Sequence, residues 1–130
     1  MRTDVKRRGW TISAEGNDLA DRFLESVFFT GNGRMGARVS PASRPIPRPL
    51  DAGLFLAGFY DRISDSTELT DFVNLPTPIW YQIRLNGRIP AIPSHLSRAL
   101  DLRTGLLTFR YRLSIADDWV DVQEQRFFSL

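Results

Sequence analysis

Glu25-Ser26-Val27-Phe28-Phe29-Thr30-Gly31-Asn32-Gly33-Arg34-Met35-Gly36 is the stretch on which the fold turns. Gly31, Gly33 and Gly36 satisfy G-x-G-x-x-G behind an apolar, strand-like run, and Asp51 stands about where a dinucleotide fingerprint wants its acid. Such glycines open a helix whose N-terminal amides face a pyrophosphate. Here Ala37-Arg38-Val39-Ser40 runs into Pro41, Pro45, Pro47 and Pro49. Proline removes amide donors and clashes with the preceding turn, which leaves no room for a helix of useful length. The residues argue instead for a tight turn. Gly31, Asn32 and Gly33 all tolerate positive φ and would join a strand over 27–30 to one over 35–39.

Outward from this loop, strand signals dominate. Ile79, Tyr81, Ile83 and Leu85 alternate with Trp80, Gln82 and Arg84 ahead of Asn86-Gly87, a strong hairpin signal. Leu107, Phe109, Tyr111, Leu113 and Ile115 share one face of a longer run, with Thr108, Arg110, Arg112 and Ser114 on the other. Asp117-Asp118 predicts a turn and residues 119–130 a return strand. Glu124 and Arg126 share parity with Val120, Val122 and Phe128, so a bulge or an interface is expected there. Residues 54–60 read as a buried strand apolar on both faces, residues 10–13 as a first strand, and residues 18–24 as one or two helical turns capped by Asn17. Arg44 to Pro49 and Leu75 to Pro78 read as surface loops. Many short strands between turn residues predict an antiparallel all-β sandwich or barrel.

Composition narrows the function classes. With 130 residues the chain suits one domain, and its three Trp and nine Phe supply bulky core or sugar-stacking groups. Arg2, Lys6, Arg7 and Arg8 against Asp4 give +3 in the first eight residues, and the net charge of +2 leaves −1 for the rest. The basicity is therefore an N-terminal tail over residues 1–9, ahead of a sandwich over 10–130. A tail of that size does not make a nucleic-acid surface. There is no cysteine, which excludes disulfides and thiolate chemistry. No signal peptide or membrane span is expected, and the expected location is the cytoplasm. Asp117 and Asp118 point to opposite faces if in a strand, so they are turn formers rather than a catalytic pair. His95, the single histidine, is expected in a Pro-Ser-His surface loop, and no metal site is predicted.

Several segments together resemble one family. Glu25-Ser26-Val27-Phe28 followed by Gly31-Asn32-Gly33-Arg34-Met35-Gly36-Ala37-Arg38 is similar to the E-S-L-F…G-N-G-x-L-G-x-R signature of glycoside hydrolase family 65. Leu56 to Asp61 resembles its I-A-G-x-x-D, and Glu68-Leu69 with Val73-Asn74-Leu75-Pro76 its E-L-V-N-L-P. Leu100 to Leu107 resembles its L-D-L-R-x-G-x-L, and Arg126 to Ser129 its R-F-x-S. Arg34 stands where an aromatic is common in the family.

The resemblance implies a galactose-mutarotase-like supersandwich, of which this chain would be the first part. The family includes maltose, trehalose and kojibiose phosphorylases, which cleave α-glucosidic disaccharides with inversion. It implies no organic cofactor, inorganic phosphate as co-substrate of the parent enzyme, and an oligosaccharide partner bound through an (α/α) barrel. It also implies that the general-acid glutamate and the phosphate-binding residues lie in that barrel, so no catalytic residue is assigned here. Asn32, Arg34, Asn74 and Trp80 are the candidates for carbohydrate or interdomain contact, and a homodimer is an expected arrangement. The alternative is a stand-alone carbohydrate-binding or interaction module, for which Trp80, Trp119 and Tyr81 offer stacking surfaces.

Overall fold

Alternation is cleanest in the C-terminal third, and those residues build the framework. The computed structural model describes residues 4–16, 22–41, 53–62, 70–76, 81–90 and 93–129. Within them the chain forms β1 (Val5–Arg8), β2 (Thr11–Glu15), α1 (Arg22–Val27), β3 (Thr30–Gly31), β4 (Met35–Arg38) and β5 (Gly53–Leu56). It continues through β6 (Tyr60–Arg62), β7 (Thr70–Phe72), β8 (Ser94–Asp101), β9 (Leu106–Ile115) and β10 (Asp118–Arg126). A five-stranded sheet has the order β1-β2-β8-β9-β10, a three-stranded sheet β3-β4-β5, and β6 pairs with β7. All pairings are antiparallel. The fold is an all-β sandwich, with one short helix among the described residues.

The large sheet presents Leu96, Leu100, Leu107, Phe109, Tyr111 and Leu113 inward, and all six are buried. Leu24 from α1, Phe28 just after it, Ala37 from β4 and Val39 complete the same cluster. The helix and the small sheet thus cover the apolar face of the large one. Full burial of side chains of this size contributes roughly 1.5–3 kcal/mol each, which makes this face the main driving force for the sandwich.

Several expectations change. The strand expected over 27–30 begins later: Val27 closes α1, with Leu24 and Phe28 on one helical face, and only Thr30 of those residues enters β3. Met35–Arg38 is a strand, so no helix follows the glycines directly. The basic tail is ordered over Val5–Arg8, which turns at Gly9 (φ 59°) and pairs with β2 while its cations stay exposed. The predicted strand over 54–60 is divided by a turn at Ala57-Gly58, where Gly58 has φ 80°. Asn86-Gly87 forms the expected two-residue turn, with Leu85 and Arg88 exchanging backbone hydrogen bonds of 2.9 Å. Among residues 81–90, however, only the isolated Leu85–Arg88 bridge continues it.

No bulge interrupts β10. Its register with β9 is continuous from Asp118–Ile115 to Arg126–Leu107, and Asp118 opens the strand rather than forming the turn. The irregularity lies in β8 between Ser94 and Ser97, where His95 adopts φ 54°. The histidine is exposed, in a strand bulge rather than the predicted loop.

Phe28 lies at the meeting point of helix and sheet, at 1% exposure. Phe28→Ala is expected to lower the unfolding free energy by about 3–5 kcal/mol, read from urea denaturation. Phe127→Ala, at a side chain 68% exposed, is expected to change it by less than about 0.5 kcal/mol.

Candidate functional site

The glycine loop is built by its own asparagine. Asn32 Oδ1 accepts from the backbone amides of Arg34 and Met35, both at 3.0 Å, which closes the turn between β3 and β4. Of the three turn residues expected to use positive φ, only Gly33 does so, at 84°. Gly31 is required for a different reason. A Cβ there would lie 2.7 Å from the Met35 carbonyl oxygen, closer than real Cβ atoms approach backbone. The Asn32 amide also reaches out of the loop, donating Nδ2 to the Ser129 carbonyl at 2.6 Å. Two residues earlier, buried Thr30 donates its hydroxyl to the Gly105 carbonyl at 2.7 Å.

The remaining motif segments are fastened in the same way. In the turn between β8 and β9, Asp101 Oδ1 accepts from the Arg103 amide at 2.8 Å, and Gly105 takes φ 67°. Leu75 donates its amide to Leu54 at 2.9 Å, joining the segment around Asn74 to β5. Glu25 is buried and accepts from Ser40 Oγ at 2.5 Å.

A charged cluster occupies the end of the core. Tyr111 donates its hydroxyl to Glu124 Oε1, and Arg126 donates to Glu124 Oε2 at 2.9 Å. Glu124 is buried at 5% exposure, so both of its oxygens are satisfied where water does not reach. This explains the parity conflict in β10: a carboxylate and a guanidinium face the core because they neutralise one another there. Arg126 also lies 5.5 Å from the Tyr81 ring centroid and 5.9 Å from that of Phe109. Partial burial, then the Glu124 charge, pushes the Tyr81 phenol above its ordinary range, against the opposing pull of Arg126. Arg126, Tyr81, Thr30, Val39 and Phe128 line a cavity of about 280 Å³. Its charges are already paired, so it offers packing volume rather than acid–base chemistry.

On the outer side of the small sheet, Phe29, Phe55, Phe72 and Tyr60 form a chain of ring contacts with centroid separations of 6.3, 6.0 and 4.9 Å. Phe29, Phe72 and Tyr60 are exposed, and Phe29, Phe55 and Phe72 with Met35 and Leu56 border an open groove of about 340 Å³. On the outer face of the large sheet, exposed Trp119 carries the Arg112 guanidinium 3.9 Å from its ring centroid. Asp121 holds that guanidinium through two hydrogen bonds of 2.7 and 3.0 Å. The bonds to Arg112 in turn hold the Asp121 carboxyl below the usual carboxylate range.

The sequence-predicted contact residues do not form one constellation. Asn32 is committed to the loop and to Ser129, whereas Arg34 is exposed on the border of the aromatic groove. Asn74 lies over Gly53, which pairs with Arg38 at the far end of β5 from Met35 and Leu56. Trp80 falls outside the described residues. Among the described residues no three His, Asp or Glu side chains gather as a metal site, and no helix is long and apolar enough to cross a membrane. Sequence reasoning missed the Tyr111–Glu124–Arg126 cluster, although the charge parity of β10 was its signal.

The glycine loop is hydrogen-bonded to the other recognised segments at Ala57, Gly105 and Ser129, and Val73 is bonded to Phe59, while Glu68 and Leu69 lie outside the described residues. The family model described as "Glycosyl hydrolase family 65, N-terminal domain" matches residues 14–130. The chain belongs to this family. No curated protein and no solved structure matches it. In this family-65 N-terminal domain, the glycine loop is the motif segment that fastens the small sheet to the large one, through Thr30 and Asn32.

The buried ion pair gives a test. Glu124→Leu leaves the Arg126 guanidinium without its carboxylate and is expected to cost about 3–5 kcal/mol in urea unfolding. Adding Arg126→Leu to that variant should recover most of the loss, because the uncompensated charge goes with it.

Proposed function

We propose that this chain is the non-catalytic N-terminal β-sandwich of a carbohydrate-active enzyme of the family-65 phosphorylase and hydrolase type, and that its role is interdomain packing. The reaction attributed to the parent enzyme is inverting cleavage of an α-glucosidic disaccharide. A carboxylic acid protonates the glycosidic oxygen while phosphate, or water in a hydrolase, attacks the anomeric carbon from the opposite face. Such chemistry needs two groups flanking the scissile bond across an open cleft. Among the described residues the buried carboxylates are spent: Glu25 accepts from Ser40, and Glu124 accepts from Tyr111 and Arg126. Asp121 is held by Arg112 on an open sheet face.

The observation that carries the proposal is the contrast between the two kinds of surface. Glu25, Asn32 and Asp101 use their polar atoms in hydrogen bonds that hold the fold, while Phe29 and Phe72 stay exposed beside Arg34. An exposed aromatic patch of this kind marks a contact surface, and the catalytic barrel of the parent enzyme is the partner that family membership suggests. A second reading, an oligosaccharide-binding module, is favoured by one feature. Trp119 is locked by Arg112 on one side and remains 59% exposed.

The chain, incubated with maltose, trehalose or kojibiose and inorganic phosphate, is expected to release no glucose 1-phosphate and no free glucose. Turnover would overturn the assignment. Tryptophan fluorescence titrated with maltotetraose is expected to stay flat. A saturable change abolished by Trp119→Ala would move the assignment to the binding module.

A further inference from the structure

The tripeptide Asn-Gly-Arg occurs twice in this chain, at residues 32–34 in the glycine loop and at residues 86–88 in the hairpin turn. Asparagine is a chemically labile residue, and most so ahead of glycine. The glycine backbone nitrogen attacks the asparagine Cγ, because no Cβ on the glycine crowds the approach. A five-membered succinimide forms as the Cγ–Nδ2 bond breaks and ammonia leaves. Water then opens the ring at either carbonyl, giving aspartate or isoaspartate. The local sequence is the same at both sites, so only the fold distinguishes them.

Asn32 is held against this chemistry. Its Oδ1 accepts from the Arg34 and Met35 amides at 3.0 Å, and its Nδ2 donates to the Ser129 carbonyl at 2.6 Å. Ring closure must release all three bonds, since Cγ has to turn to meet the Gly33 nitrogen. Each bond is worth roughly a factor of five in an equilibrium, so three suppress the reactive geometry about a hundredfold. The backbone is held as well. The Asn32 amide donates to the Met35 carbonyl at 3.0 Å, and Gly31 pairs with Gly36.

Asn86 has none of these side-chain holds among the described residues. Asn86, Gly87 and Arg88 are all exposed, and both turn residues take left-handed φ, 48° and 74°. The turn is fastened by the two Leu85–Arg88 bonds and by a 3.4 Å bond from Arg84 Nη1 to the Gly87 carbonyl. No ladder continues it among the described residues beyond the single Leu85–Arg88 bridge. Such a turn opens without disturbing either sheet, and each opening lets Asn86 swing into the reactive geometry.

We propose that Asn86 is a site of spontaneous deamidation, and that the hydrogen bonds of the glycine loop protect Asn32 from the same reaction. The product changes the turn in two ways. A carboxylate appears between Arg84 and Arg88 in the chain, lowering the formal net charge of +2 by one. In the isoaspartate form the main chain also gains one carbon, which takes Leu85 and Arg88 out of register and breaks their bridge.

The folded chain, kept in mildly alkaline buffer and digested with trypsin at intervals, tests this directly. Cleavage after Arg22, Arg34, Arg84 and Arg88 puts Asn32 in the peptide 23–34 and Asn86 in the peptide 85–88. Mass spectrometry reads the amide-to-acid change in each peptide, and chromatography separates the aspartate and isoaspartate forms. A parallel sample in urea sets the intrinsic rate of the shared tripeptide. In the folded chain Asn86 is expected to convert within about tenfold of that rate, and Asn32 at least about a hundredfold below it. An Asn86 as slow as Asn32 in the folded chain, or an Asn32 converting at the rate seen in urea, would overturn the proposal.

Discussion

A five-stranded sheet with one apolar face is stable only when that face is covered, and in this chain the cover is fastened at two points. Thr30 donates to the Gly105 carbonyl, and Asn32 donates to the Ser129 carbonyl. Both donors belong to the glycine loop, and the acceptors lie directly before β9 and three residues beyond β10. Residues far apart in sequence are thereby held in one register, and the small sheet keeps Ala37 and Val39 over Leu107 and its neighbours. Hydrophobic burial is non-directional and supplies the driving force, while these hydrogen bonds set the orientation.

The charged cluster in the core follows from the same geometry. Bringing β10 against β9 in continuous register puts Glu124 opposite Phe109 and next to Val122–Tyr111. A carboxylate in that place needs donors, and Tyr111 and Arg126 supply them. A pair of this kind adds little net stability over an apolar replacement, but it penalises any register that separates its members. In this strand it acts against a one-residue slip, which would turn Glu124 outward and Asp121 and Gln123 inward.

Much of the fold was legible in the sequence, for physical reasons that differ by element. The alternation of Leu107 to Leu113 has period two over many residues, and all four inward positions are buried as expected. Asn86-Gly87 specifies its turn locally. The motif order pointed to the family, whose N-terminal domain matches residues 14–130. What escaped depended on long-range partners or on weak local signals. Val5–Arg8 shows no alternation, yet it forms a strand because β2 offers an edge. Residues 27–30 are too few to separate helix from strand by period. The site was less legible still. Asn32 and Arg34 lie two residues apart but serve different surfaces, and Asn74 lies at the other end of β5.

The family-65 glycine loop thus resembles a phosphate cradle in composition and acts as a clasp between two sheets. The most direct test of that account is the unfolding free energy of Thr30→Val, which keeps the shape of the side chain and removes the donor to Gly105. A loss of about 1–3 kcal/mol with an unchanged far-ultraviolet circular dichroism spectrum is the predicted result. A variant as stable as the parent chain would contradict it.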